Sequence, residues 1–355
     1  MSDENIPPQL GQKRPSEDSA LTQPPRKKAG PSDGWKLKGR HIGRSIHAFA
    51  NFAQLILGGI QLDKDLDLFP DNGIEKYPAE TRLQYEIYGR IIRFLPDLEE
   101  GLRKGTIDTS RLNRICSSAG ANAARSDDVK GLKGTVLDWI TDPVTGLVPP
   151  IPRNSMGNRG FKHEATGKYL CPAGLDWNDA GSALRAGTMV VQSDQWSIFL
   201  YSNGSYDPER PWAGLLRGRL LINAFKHVFT SPSSVDDSGR STKSSNAAIH
   251  GMSQVTLASI VYVATLVRFS LGTRATFSLT DTVTDSQNFY NVLLAFLTHP
   301  DERENVNELL AWWNKQVFPN FVAIFRAPTV NSALAKLMEL RKKRAALQAI
   351  GGNPN

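Results

Sequence analysis

Residues 253–271 read SQVTLASIVYVATLVRFSL. On a helix, Val255, Leu257, Ile260, Val261, Val263, Leu266 and Val267 fall on every side and leave almost no polar stripe. A helix of this kind must be covered by neighbours, so the segment is expected at the centre of a core. It is not expected to cross a membrane. Gln254, Ser259, Tyr262, Thr265 and Arg268 interrupt it, and its apolar stretch, 255–267, is shorter than the roughly 20 residues a span needs.

Outward from this segment the helical period recurs. Upstream, 215–229 carries Leu216, Leu220, Phe225 and Val228 at helical spacing. Between the two lies SPSSVDDSGRSTKSSNAA, 231–248, read as a Ser-rich linker that is flexible over 235–248. Downstream, Asp285 caps a helix with Phe289, Val292 and Phe296, and Pro300 closes it. Asp301 caps the next, with Val306, Leu309, Leu310 and Trp313. A last helix is expected over 331–350, before Gly351 and Gly352.

Toward the N-terminus, Ile42, Ile46, Phe49, Ala53 and Ile56 read as one amphipathic helix stopped by Gly58-Gly59. Leu83, Ile87, Ile91 and Leu95 form a stripe ended by Pro96. Asp108-Thr109-Ser110 caps a helix with Leu112 and Ile115. Ser126-Asp127-Asp128 opens another with Val129, Leu132, Val136, Trp139 and Ile140.

Residues 142–211 break the pattern with Pro143, Pro149, Pro150, Pro152, Pro172, Pro208 and Pro211, and with glycines from Gly146 to Gly204. They read as a long irregular segment with short extended pieces such as Met189-Val190-Val191, packed by its own aromatic side chains. The fold class is therefore mainly α: a multi-helix globular domain with an irregular Pro/Gly-rich middle and minor strand content. One domain is expected over 35–350, with sub-regions 35–141, 142–211 and 212–350.

Residues 1–34 hold six prolines and few large apolar side chains, so they are read as a disordered tail. Their five basic and five acidic residues cancel, so the net charge of +7 belongs to the body. Lys13-Arg14 and Arg26-Lys27-Lys28 flank the eleven residues 15–25. Two cationic clusters on an open, Pro-rich spacer form a bipartite nuclear-import pattern, which implies an import receptor as partner and a nuclear location. The first residues have no apolar core of the kind a secretory signal carries. The two cysteines, Cys116 and Cys171, exclude a disulfide-rich scaffold and a four-thiolate zinc site.

The familiar reactive motifs fail on spacing. His163-Glu164 opens like a zinc-protease helix, but Gly167 stands where the second histidine belongs. His299-Pro300-Asp301 has the form of a non-haem iron pair, yet no histidine follows it. GFKHEATGK, 160–168, has its glycines too far apart for a phosphate loop, and Tyr169 replaces the magnesium-binding hydroxyl. Cys171 has no recognisable partner and reads as a small buried thiol. Asp127, Asp128, Asp236 and Asp237 have the composition of a two-metal cluster, but their spacing fits helix capping equally well. No metal, cofactor or catalytic set is assigned.

Basic surface remains. Lys36, Lys38, Arg40 and Arg44 cluster early. Lys336, Arg341, Lys342, Lys343 and Arg344 face a single acid, Glu339, in the last helix. Arg341, Lys342, Lys343 and Arg344 are the candidate phosphate contacts, beside an apolar edge of Leu334, Leu337, Leu340 and Leu347 that suits docking on the body.

Five segments carry a family resemblance: GANAARSDDVKGLKGTVLDWITDP at 120–143, RGFKHEATGKYLCPAGLDW at 159–177, GLLRGRLLINAFKHVFTSPSSV at 214–235, NAAIHGMSQVTLASIVYVATLVRFSL at 246–271, and DTVTDSQNFYNVLLAFLTHPDERENVNELLAWWNKQVFP at 281–319. Together they resemble a domain family of unknown function expanded in basidiomycete (mushroom-forming) fungi, over about residues 40–345. The resemblance implies no activity, cofactor or catalytic residue.

Two functions are compatible with these readings. The first is a non-enzymatic nuclear helical protein that binds an acidic partner, nucleic acid or protein, through basic surface. The alternative is an enzyme with a site in 150–210, where His163, Arg159, Lys168, Asp176 and Asp179 are the polar side chains available to converge. A pocket joining His163 to two carboxylates favours the enzyme, and a continuous basic face favours the binder.

Overall fold

A capping box at Thr256 fixes where the central helix begins. Thr256 Oγ1 accepts the Ser259 N–H at 3.1 Å, and Ser259 Oγ accepts the Thr256 N–H at 3.0 Å. Two donors that a helix start leaves open are thereby satisfied. The Thr256 hydroxyl also donates to the Ser45 carbonyl at 2.6 Å, which ties this helix to the end of the first one.

The computed structural model describes residues 31–69, 73–107, 120–192, 194–230, 235, 245–275, 277, 285–319 and, within 332–344, all but 334, 338 and 342. In chain order the helices are α1 (Pro31–Ser45), α2 (Phe52–Leu68), α3 (Ala79–Phe94), α4 (Pro96–Arg103), α5 (Ala123–Ile140), α6 (Glu164–Leu170), α7 (Trp177–Ala186), α8 (Arg219–Phe225), α9 (Asn246–Ile249), α10 (Leu257–Leu271), α11 (Ser286–Thr298) and α12 (Arg303–Val317). The fold is mainly α. Among the described residues, β pairing is confined to isolated bridges of Asp142 with Gly146, Pro172 with Ser197 and Tyr201 with Leu215.

Helix α10 is the hub, with α1, α5, α8 and α11 packed around it. Ile260, Val261, Val263, Leu266 and Val267 have no exposed surface, as the all-round apolar pattern requires. A second apolar cluster joins α1 to α2, α3 and α4 through Ile42, Ile56, Ile91 and Leu98. Trp177 anchors a third, smaller cluster with Cys171, Ala180 and Leu184.

Several expected boundaries move, for identifiable reasons. The stripe from Ile42 to Ile56 is two helices, because the chain turns between Ser45 and Phe52. Side chains from distant helices hold the turn's backbone: Ala48 N–H donates to Tyr290 Oη at 3.2 Å, and the Ala48 carbonyl accepts from Arg125. Asn51 Oδ1 then caps α2 by accepting the Gln54 N–H. Gly58-Gly59 does not stop α2. A Cβ on Gly59 would lie 2.1 Å from the Tyr88 ring, so glycine serves there as a contact surface for α3. Helix α5 starts at Ala123, with Asp127 and Asp128 already inside it. The expected helix at 215–229 starts at Arg219, after Leu216 in a left-handed conformation (φ 55°), and ends in a π-helical turn at Lys226–Thr230.

The irregular middle contains α6 and α7, and Met189-Val190-Val191 pairs with no strand among the described residues. Asn246 to Ala248, expected at the end of the flexible linker, begin α9. Asp301 lies in a 3-10 turn, Pro300–Glu302, ahead of α12. Helix α1 starts at Pro31, inside the stretch read as tail. Residues 1–30, the expected helix at 108–115, Cys116, and 236–244 of the linker lie outside the described residues.

Candidate functional site

The early basic cluster is used by the fold. Arg44 of α1 makes a two-pronged ion pair with Asp128 of α5, Nε to Oδ2 and Nη2 to Oδ1, each 2.7 Å. Tyr262 of α10 donates its hydroxyl to the same carboxylate at 2.7 Å, and all three side chains are buried. Burial opposes the Arg44 charge, but the hydrogen bonds and charge of Asp128 more than offset it and raise its pKa. Burial, followed by the Asp128 charge, pushes the Tyr262 phenol well above its ordinary value. Arg40 pairs with Asp127 at 2.6 Å, and the Lys38 ammonium lies 5.1 Å from the centre of the Trp35 ring. The expected surface run at 36–44 is thus corrected: Arg44 belongs to a polar knot between three helices. The carboxylates of Asp127 and Asp128 face arginines, and Asp236 and Asp237 lie outside the described residues.

The five polar side chains singled out in 150–210 do not converge as a set; Lys168 and Asp176 line one cleft, and the others do not join them there. Arg159 is fully buried and donates to four carbonyls: Ser155 at 2.9 Å, Lys133 at 2.6 Å, Ser270 at 2.6 Å and Arg153 at 2.7 Å. Ser270 lies in the last turn of α10, where unpaired carbonyls form the negative helix end, so the guanidinium closes that terminus. With no carboxylate beside it, burial lowers its pKa to about 10. His163 caps α6 by accepting the Ala165 N–H on Nδ1 at 3.1 Å. The proton is therefore on Nε2, which donates to the Pro149 carbonyl at 2.7 Å. Lys168 pairs with Glu164 at 3.2 Å, Asp176 caps α7 by accepting the Asn178 N–H at 2.8 Å, and Asp179 is exposed.

Among the described residues, no group of three His, Cys, Asp or Glu comes together as a metal site. His299 accepts the Asp301 N–H on Nδ1 at 3.3 Å, a turn cap. Cys171 is buried, its thiol pKa raised by burial and then by the Asp176 charge. Among the described residues, no helix is long and apolar enough to cross a membrane.

The C-terminal cations are placed differently. Residues 333, 335–337, 339–341, 343 and 344 are helical, and Lys336, Arg341, Lys343 and Arg344 are exposed. Lys343 reaches Glu339 at 2.9 Å, whereas Arg341 and Arg344 make no ion pair among the described residues. Leu337 and Leu340 are 58% and 50% exposed, so they do not dock on the body as expected. Leu337, Leu340, Arg341 and Arg344 recur three and four positions apart, which places them on one helical face. Lys342, Leu334, Leu347 and the tail cations Lys13, Arg14, Arg26, Lys27 and Lys28 lie outside the described residues.

Neither a curated protein nor a solved structure matches the chain. A family match spans residues 119–318, from the start of α5 to the end of α12. It includes α10 and takes in nearly all of the five segments that carry the resemblance. Over more than half of its length, the chain belongs to this family of unknown function (DUF6698).

Proposed function

We propose that the chain is a non-enzymatic nuclear protein that binds an acidic partner through the basic helical face at 336–344. The observation that carries this reading is the pairing of two uncommitted arginines, Arg341 and Arg344, with the exposed Leu337 and Leu340 on one face. Cations supply salt-sensitive attraction to phosphates or carboxylates, and Leu337 and Leu340 add apolar contact where the partner is a protein. The resemblance of the family segments supports a basidiomycete source.

A labelled random duplex and poly-glutamate, each titrated by fluorescence anisotropy, test the reading. Ala at Arg341, Lys342, Lys343 and Arg344 is expected to abolish binding to both. Ser at Leu337 and Leu340 should leave duplex binding intact, because phosphate neutralisation needs only the cations. Equal affinity of the wild type and the tetra-Ala variant, or no binding of either polyanion at low salt, overturns it.

The tail supplies entry, through Lys13-Arg14 and Arg26-Lys27-Lys28 on their Pro-rich spacer and an import receptor. Replacing Arg26, Lys27 and Lys28 by Ala is expected to move a fluorescently tagged protein from nucleus to cytoplasm. Full nuclear accumulation of that variant contradicts the assignment.

A further inference from the structure

A cleft of about 960 Å³ opens between the end of α5, the outer side of α6, the start of α7, the 198–206 turns and the start of α8. Its size is at the upper end of the about 300–1,000 Å³ typical of small-ligand sites. Its lining combines aromatic rings with hydroxyls, an amide and two cations, of which Lys168 is ion-paired with Glu164. Trp139, Tyr169 and Tyr206 are half-buried at its walls. The hydroxyls of Tyr169, Tyr201 and Tyr206 and the side-chain amide of Asn223 make no hydrogen bond among the described residues. Arg219 is exposed at the rim and forms no ion pair among them. The acid in the lining, Asp176, is occupied as the cap of α7.

The rim is also pre-set. Asn203 and Gly204 hold left-handed conformations (φ 58° and 62°), and Ser202 N–H donates to the Gly214 carbonyl at 2.9 Å. Gly218 lets the start of α8 lie close, since a Cβ there would be 3.2 Å from the Phe199 carbonyl. Little ordering is left for a ligand to impose.

From aromatic faces, free donors and one uncommitted cation around a single cleft, we infer that this site binds a nucleotide. The base lies on the aromatic wall, the hydroxyls and Asn223 meet its polar acceptors and sugar, and Arg219 takes the phosphate. Every base offers a π face, so stacking of this kind tolerates any of the four. An arginine presents a fork suited to phosphate oxygens. The nucleotide is either free or one unit of a single strand, and the recognition chemistry is shared.

Tryptophan fluorescence of the full chain tests this, because Trp139 and Trp177 border the cleft. The probes are adenosine 5′-monophosphate, adenosine and a short single-stranded oligodeoxyadenylate. Saturable binding of the monophosphate assigns a free nucleotide; binding of the oligonucleotide alone, kept by the tetra-Ala variant at 341–344 and weakened by Arg219→Ala, assigns a strand; either result supports the site. Arg219→Ala is expected to weaken the phosphorylated probe by about tenfold, the scale of one lost charged hydrogen bond, and to leave adenosine unchanged. Circular dichroism of this exposed-site variant checks that it is folded. The tetra-Ala variant at 341–344 should bind the probe like the wild type, which separates this site from the basic helical face. No saturable change with the monophosphate or the strand at millimolar concentration, or equal binding by Arg219→Ala, overturns the inference.

Discussion

Asp128 lies inside a helix, yet it holds the charge of an arginine 84 residues earlier in the chain and the hydroxyl of a tyrosine on a third helix. Removing one member of a buried pair strands the other, so Asp128→Ala is expected to cost about 3–5 kcal/mol in urea unfolding. Arg44→Met combined with Asp128→Leu should cost far less, because no lone charge remains. A loss for the single variant within the roughly 0.5 kcal/mol of ordinary surface changes contradicts this role. Three imidazoles, His41 buried and His47 and His250 half-buried, give a second residue-scale expectation. Burial, then the His250 and Arg44 charges, holds His41 at about 3, well below its ordinary 6.5. Burial also holds His47 at about 4, and burial with the Arg44 charge does the same for His250. The unfolded chain therefore takes up protons that the fold excludes. The stabilisation is complete above pH 6.5 and declines as pH falls toward 4, by roughly 1 kcal/mol per imidazole at pH 5.5. Thermal midpoints that do not change between pH 7.5 and pH 5.5 contradict this. The sequence shows charges as runs and cannot show which ones are buried. Arg44 reads as surface because its partner is remote, and Arg159 reads as available because the four carbonyls that surround it carry no side-chain signal.

Among the elements, those written in apolar periodicity are legible from the sequence. Helix α10 is buried at every position but Leu257 and Arg268, as the all-round pattern predicts, and α11 starts after Asp285 as its capping chemistry predicts. Breaks made by tertiary contacts are not legible: the turn between α1 and α2 is held by Arg125 and Tyr290, far along the chain. The glycine pair in α2 separates the two kinds of signal. A Cβ on Gly58 meets nothing within 4 Å, whereas one on Gly59 meets the Tyr88 ring at 2.1 Å. Gly58→Ala should therefore stabilise the protein by about 0.5–1 kcal/mol through helix propensity. Gly59→Ala should destabilise it by about 1–3 kcal/mol through overpacking. Chemical denaturation of the two variants checks the pair, and shifts of the same sign would mean that Gly59 has no packing role.

Over the whole molecule, the fold pairs Arg40 and Arg44 of the early basic run internally, with Asp127 and Asp128, and among the described residues it leaves Arg341 and Arg344 of the C-terminal run without an ion pair. The basic face was visible in the sequence as consecutive cations. Its exposed leucines were not, because periodicity reports an apolar edge without saying whether the body covers it. The aromatic cleft was less visible still, since its lining is drawn from residues spread between Trp139 and Asn223. If the C-terminal face is the contact, two or three cations reach one phosphate backbone, because consecutive positions fan around a helix. The direct measurement is anisotropy of a labelled random duplex across a salt series. The predicted result is a slope of log K against log salt of about −2 to −3 for the wild type, with no sequence preference, and loss of binding in the tetra-Ala variant at 341–344. A salt-independent affinity, or the same slope in both proteins, would contradict it.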